Sequence, residues 1–381
     1  MKMILECVLS VVLGFISAAS PAEPPAAAIP SSWRCIAAGD HHSLAVKADG
    51  SLWAWGENNF GRLGIGADSS DGGYSTPIKI MDGAVSVAAG TDHSLAVKLD
   101  GSLWAWGGNF DGQLGDGTAE DRRAPVKIMD GVASADAGYS HSLAVKTDGS
   151  LWAWGYNGED GQLGDSTKIS RNVPVKIMDG VASVSAGGKH SLAVKTDGSL
   201  WAWGHNAPGQ LGDGTTVSKN APVKIMEGVA FASAGATQSL AVKTDGSLWL
   251  WGNNAFFERD GGAYTQTTPV EVMDCVAFAD AGAYHCLAVK TDGSLWGWGD
   301  NTSGELGSGA DGASVRTPIK LLDDAAYVSA GATHSLAVKT DGSLWAWGGN
   351  RYGQLGNGMM DNNMGMSVVN KGMFYKVMDG M

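Results

Sequence analysis

The sequence predicts an all-β fold, a seven-bladed β-propeller of four-stranded antiparallel blades. Three observations carry that reading. Trp-Ala-Trp-Gly, or a near copy, begins at Trp53, Trp104, Trp152, Trp201, Trp249, Trp296 and Trp345, so one unit of 47 to 51 residues is written seven times. Each unit holds four short apolar segments separated by turn signals, the pattern of a small antiparallel sheet. Every segment type occurs seven times across the chain. A unit of this size cannot bury its own apolar faces and must lean on its neighbours, which gives a ring or a stack.

The fourth copy shows the elements in order. Val181 to Gly187 is a first apolar segment, and Ser191-Leu-Ala-Val-Lys195 a second, preceded by His190. Thr196-Asp-Gly198 is the turn into Ser199-Leu-Trp-Ala-Trp-Gly204, since glycine supplies the positive φ of a tight hairpin. A long loop containing Gly209-Gln-Leu-Gly-Asp-Gly214 leads to Pro222-Val-Lys-Ile-Met226. Alternation puts Leu192 and Val194 on one face, and Trp201 and Trp203 on a face opposite Leu200 and Ala202. The bulky face of one blade can then fill the shallow face of the next, which makes the tryptophans core.

The chain stops at Lys376-Val-Met-Asp-Gly-Met381, and the segment type that should follow stands at the other end as Trp33-Arg-Cys-Ile-Ala-Ala-Gly39. The expectation is a ring closed by pairing of the N- and C-terminal segments, which removes the exposed edges of an open array. Residues 33–381 read as the propeller, 23–32 as a Pro/Ala-rich spacer and 1–22 as a signal peptide with a basic start, an apolar stretch and small residues at Ser17 to Ala22. Export to the outside or the cell surface follows, with an N-terminal membrane anchor as the alternative. After loss of the leader, Cys35, Cys275 and Cys286 remain, with no metal spacing, and no structural disulfide is expected.

Composition narrows the function. The formal net charge is −13 and no Lys/Arg-rich stretch occurs, which argues against binding a phosphate backbone and hence against a nucleic-acid partner. His42, His93, His141, His190, His285 and His334 share one position of the repeat, with Gln238 in the remaining copy. Histidine and the serine beside it point to opposite faces of a strand, so they form no base–nucleophile pair, and no Gly-x-Ser-x-Gly elbow is present. One histidine per blade is too widely spaced to share a metal. Their expected role is structural, a ring nitrogen bonded to backbone, and no cofactor or metal is expected.

The copies differ chiefly where the turn after Ala-Gly and the long loop after Trp-Gly emerge on one face of the disc. His41, Asp92, Tyr139 and Tyr284 stand in the short turns, and Phe60, Phe110, Tyr156, His205, Phe256, Phe257, Arg351 and Tyr352 in the long loops. Aromatic residues and arginine are the side chains that anchor protein interfaces, and variable loops on a rigid scaffold are a common site design. These twelve residues are the candidate partner-binding set. The alternative is loop drift under weak packing constraint. An enzyme needs clustered carboxylates, for which Asp111, Glu159 and Asp160 are the candidates.

His141-Ser-Leu-Ala-Val145, Trp152-Ala-Trp-Gly155 and Asn157 with Gly161-Gln-Leu-Gly164 resemble the regulator of chromosome condensation repeat family, over residues 33 to 381. The resemblance implies a seven-bladed propeller. It also implies, among eukaryotic members, guanine nucleotide exchange on the small GTPase Ran through a partner-specific wedge, for which no insertion can be assigned here. The chain further resembles bacterial secreted members, among them a propeller inhibitor of β-lactamases that docks by its loop face. The reading is a secreted, non-enzymatic, monomeric propeller that binds a protein, or less readily a glycan, through its variable face; a carbohydrate-active enzyme is the competing class.

Overall fold

The computed structural model describes residues 32–67, 72–253, 265–307, 314–361 and 373–378. These form seven four-stranded sheets, each of consecutive strands paired antiparallel. In the fourth blade the strands are Val181–Ala186, His190–Lys195, Leu200–Gly204 and Lys219–Met226. The Thr-Asp-Gly turn joins the second strand to the third as the sequence predicts, and Gly198 has φ +78°. Asp197 Oδ1 accepts the Ser199 amide at 2.9 Å and the Ser199 hydroxyl at 2.6 Å. That hydroxyl accepts the Trp201 indole N–H at 3.0 Å, and Lys195 Nζ lies 5.0 Å from the Trp201 ring centre. The same Lys–Trp–Ser–Asp chain recurs in all seven copies, which assigns the turn aspartates a structural role.

Packing between blades follows the predicted interdigitation. Leu143, Val145, Leu151 and Ala153 of the third blade meet Val184, Ala193 and Trp203 of the fourth in one buried cluster. The second tryptophan of each pair is fully buried, while the first is half-buried, its outer face covered by the lysine. Burying the indole this way removes a large apolar area from water and leaves its N–H a defined partner.

First strands of neighbouring blades touch around the axis, and Ala325–Ala330 of the seventh blade meets Trp33–Ala38 of the first. Closure differs from the expectation. Trp33–Ala38 pairs with His42–Lys47 in the first sheet, and Tyr375–Met378 pairs with Leu344–Gly348 in the seventh, so the terminal segments share no sheet. Each sheet is completed by strands of its own unit, and the seventh and first blades are joined side by side. Trp33 Nε1 donates to Gly342 O at 2.8 Å, the Ala38 amide to Ser329 Oγ at 3.0 Å and the Ala332 amide to Gly39 O at 3.2 Å.

The two faces separate as the sequence predicts. The Glu57 amide, after Trp-Gly, donates to His41 O in the turn after Ala-Gly, which puts both connections on one face. On the other face the Leu99 amide donates to Gly83 O and the Ala84 amide to Gly50 O. Among the described residues the long loops share one hydrogen-bonded design. In six of them an asparagine side chain accepts the amide of the leucine in Gly-x-Leu-Gly, as Asn157 Oδ1 does from Leu163 at 2.9 Å. The loop then reaches the next blade, where Gln162 O accepts the Trp203 indole at 2.8 Å. Gly164 permits that approach, because a Cβ there would lie 2.7 Å from Trp203 Nε1.

Candidate partner-binding face

The histidines form a belt between blades. Nε2 of His42, His93, His141, His190, His285 and His334 lies 2.8–3.0 Å from the hydroxyls of Ser94, Ser142, Ser191, Ser239, Ser335 and Ser43, each on the following blade. Each hydroxyl donates to a loop carbonyl of Arg62, Gln113, Gln162, Gln210, Glu305 or Gln354 at 2.7–2.9 Å. A hydroxyl has a single proton, so the histidine must be the donor at Nε2. The expected backbone partner is thus a serine, because the ring reaches across the blade joint. The bare Nδ1 atoms have no hydrogen-bond partner. Burial lowers the rings, His141 and His285 to about 4 and His93, His190 and His334 to about 3, so they stay neutral. A serine whose proton faces a carbonyl, beside a histidine that donates, is no nucleophile.

The belt changes character at the joint of the fifth and sixth blades. Gln238 Nε2 donates to Gly282 O at 3.3 Å and His285 O at 3.2 Å, and lies 3.6 Å from the sulfur of Cys286, which stands in the serine position. Among the described residues the Trp298 indole N–H has no partner, whereas its six counterparts each bond to a loop carbonyl.

On the loop face the structure divides the candidate residues into groups. His41 and Tyr352 have ring centres 5.0 Å apart, and the Arg351 guanidinium lies 5.4 Å from the Tyr352 ring. Burial, with Arg62 and Arg351 nearby, lowers His41 to about 4. Asp92 accepts from Arg62 at 2.5 Å, and Arg62 also holds Glu57 at 2.8 Å. Burial pushes Glu57 up in spite of that arginine. Phe60, with φ 60°, stands 48 % exposed beside Arg62. Phe110 is 89 % and Tyr284 54 % exposed. Tyr156 and His205 are half-buried; a Cβ at Gly158 would meet the Tyr156 hydroxyl, and His205 Nδ1 is held by Gln210 Nε2 at 2.8 Å. Phe256 and Phe257 lie outside the described residues, as does residue range 1–31 with the leader. Of the candidate acids, Glu159 is exposed and Asp160 accepts from Ser218 on the fourth blade, so they are engaged apart from Asp111 on the second.

Two features were missed from the sequence. Arg62 replaces the glutamine of the loop motif and organises the first-blade cluster. The second feature lines the axis, where the residue before the last alanine of each first strand accepts an amide from the next blade. Asp136 accepts from Ala186, Ser185 from Ala234, Ser233 from Ala281, Asp280 from Ala330 and Ser329 from Ala38, at 2.8–3.1 Å. Ala37 and Ala88 hold this position in the first two blades. Burial pushes Asp136 up to about 7, with Asp280 adding to it, and burial raises Asp280 as well. A polar residue in an otherwise apolar strand was the available signal.

The axis opens on the loop face in a mouth of about 80 Å³. Its wall is a repeated Ala-Gly ring, and the seven residues after that pair are Asp40, Thr91, Tyr139, Gly188, Ala236, Ala283 and Ala332. Only the first three bring long or polar side chains, from three consecutive blades. Burial pushes Asp40 up to about 6 and raises the Tyr139 hydroxyl, which feels both Asp40 and Tyr284.

Comparison with known proteins agrees with this architecture. Residues 13–259 match the RCC1-like domain model, and residues 276–305 and 326–354 match the regulator of chromosome condensation (RCC1) repeat. The chain is 38 % identical over 90 residues to the Regulator of chromosome condensation of Xenopus laevis, covering 24 % of this chain and 21 % of that protein. It is 43 % identical over 89 residues to the Ultraviolet-B receptor UVR8 of Arabidopsis thaliana, covering 23 % of this chain and 20 % of that protein. The chain thus spans about a fifth of the length of these curated relatives. Among solved structures, Prp20p of Saccharomyces cerevisiae superposes with a TM-score of 0.74 at 23 % identity, over 86 % of each chain, which is a likeness of fold.

Proposed function

The chain belongs to the RCC1-like domain family, and on that premise we propose that it is a non-enzymatic propeller that binds a protein partner through its loop face. One observation carries the reading. The exposed aromatic side chains among the described residues, Phe60, Phe110 and Tyr284, all stand on that face. Asparagine side chains pin six of its loops, including those that carry Phe60 and Phe110, which lowers the ordering cost of binding. The solved yeast relative is described with its binding to Gsp1p and histones, which are proteins, and this supports a protein partner for the present chain. The leader-like segment 1–22 supports export and the resemblance to bacterial secreted propellers makes β-lactamases the first partners to assay.

The test uses the propeller as bait in its native surroundings. Phe60, Phe110 and Tyr284 changed together to Ala should leave the melting temperature within a few degrees of the parent and abolish capture of the bound protein. The change Leu99→Ser, on the opposite face, should leave capture intact. Loss of capture on the Leu99 change with retention on the triple change would place binding on the other face and sink the reading.

A further inference from the structure

We infer that the axial mouth is a receptor for a primary ammonium group, a lysine side chain projecting from the bound protein, received by Asp40 with Thr91 and Tyr139 on the next two blades. The inference rests on the loop-face reading and names what sits at its centre. The mouth is large enough, because one water needs about 10–15 Å³ by the same measure and the mouth offers about 80 Å³. It is narrow and one-sided. Four small residues, Gly188, Ala236, Ala283 and Ala332, form a smooth wall, and Asp40, Thr91 and Tyr139 form a polar one.

The polar wall is left incomplete by the protein itself. Asp40 takes part in no ion pair among the described residues, although Glu57 and Asp92 beside it share Arg62. The Thr91 hydroxyl stands close enough to Asp40 to lower its carboxyl, yet it makes no hydrogen bond of good geometry among the described residues. A carboxylate and a hydroxyl with free lone pairs are both acceptors. An ammonium brings three donors, whereas an anion would bring none. Tyr139 reaches over Gly188, its ring edge 3.1 Å from where a Cβ would stand, so an aromatic ring flanks the mouth that Asp40 also lines. Carboxylate plus aromatic flank is a setting that attracts an alkylammonium. No lysine or arginine lines the mouth. A linear aminoalkyl chain fits a narrow axial opening, whereas the forked guanidinium of arginine is wider.

The probe is Nα-acetyl-lysine methylamide, titrated into the propeller by ligand-observed NMR, with the norleucine analogue as the uncharged control. The expected result is saturable binding on the order of 1 mM, at least about 10-fold weaker for the norleucine analogue and for Asp40→Asn, as one charged hydrogen bond is worth. Tyr139→Leu, a second variant, should also weaken it, and Glu159→Gln on a neighbouring loop should not. Equal response of the Asp40→Asn protein, or of the norleucine analogue, would overturn the inference. If the probe fails while the Phe60, Phe110 and Tyr284 variant still loses its partner, the loop face stands and only its ammonium centre falls.

Discussion

At the level of single residues, His141 carries a defined electrostatic cost. Burial holds its ring at about 4, below the ordinary 6.5, so the unfolded chain takes up a proton between those values and the folded chain does not. The stability its neutral ring contributes is complete above pH 6.5, declines by about 1.4 kcal/mol per pH unit as the pH falls, and stops declining below the folded value. His141→Gln copies the residue the chain already uses at position 238. Urea unfolding at several pH values should show the slope of stability near pH 5 reduced by about one proton. An unchanged slope would mean that the ring is already charged in the folded state. Buried acids such as Asp136, raised to about 7, act with the opposite sign, which is why the comparison must be made between variant and parent.

At the level of elements, the loop motif Gly-Gln-Leu-Gly acts between blades. Its glutamine contributes a main-chain carbonyl, and its second glycine clears space for the neighbouring indole. Gly164→Ala places a Cβ 2.7 Å from Trp203 Nε1 at a φ of +78°. The expected loss is about 2–3 kcal/mol from strain and displacement of the indole, read from the denaturant midpoint. The sequence made the turns, the strands and the two faces readable, because Asp-Gly, period-two alternation and Trp-Ala-Trp are local signals. It did not reveal that His190 meets Ser239, or that Asp136 bonds to Ala186, since those partners are 49 and 50 residues away. Nor could it tell which loop aromatics are presented. Tyr156 and Phe110 look alike in sequence, yet one folds against its own loop and the other stands out. The closure by shared sheet was misread for a similar reason: strand counting gives the number of segments, and pairing depends on which neighbours the turns bring together first.

At the scale of the whole ring, six of the seven joints resemble one another and one departs. Gln238, Cys286 and a Trp298 N–H with no partner among the described residues meet at the fifth joint, where the loop motif is also absent from the sequence. These departures belong together, since histidine needs serine and serine needs the loop carbonyl. Gln238→His alone sets a ring N–H against a thiol and should cost about 1–2 kcal/mol. Adding Cys286→Ser should recover part of it, with a coupling of about 0.5–3 kcal/mol in a double-mutant cycle. Strict additivity would show that the two positions drifted independently.

The completeness of each sheet bears on how such a chain changes over generations. No unit borrows a strand from another, so duplication, deletion or exchange of an entire segment such as 181–226 leaves the surviving sheets whole. An imported unit has to satisfy two flanking surfaces and a handful of polar joints, and nothing must be threaded or interlocked. A lineage can therefore revise the tips of one unit at a time while the scaffold beneath them keeps its form.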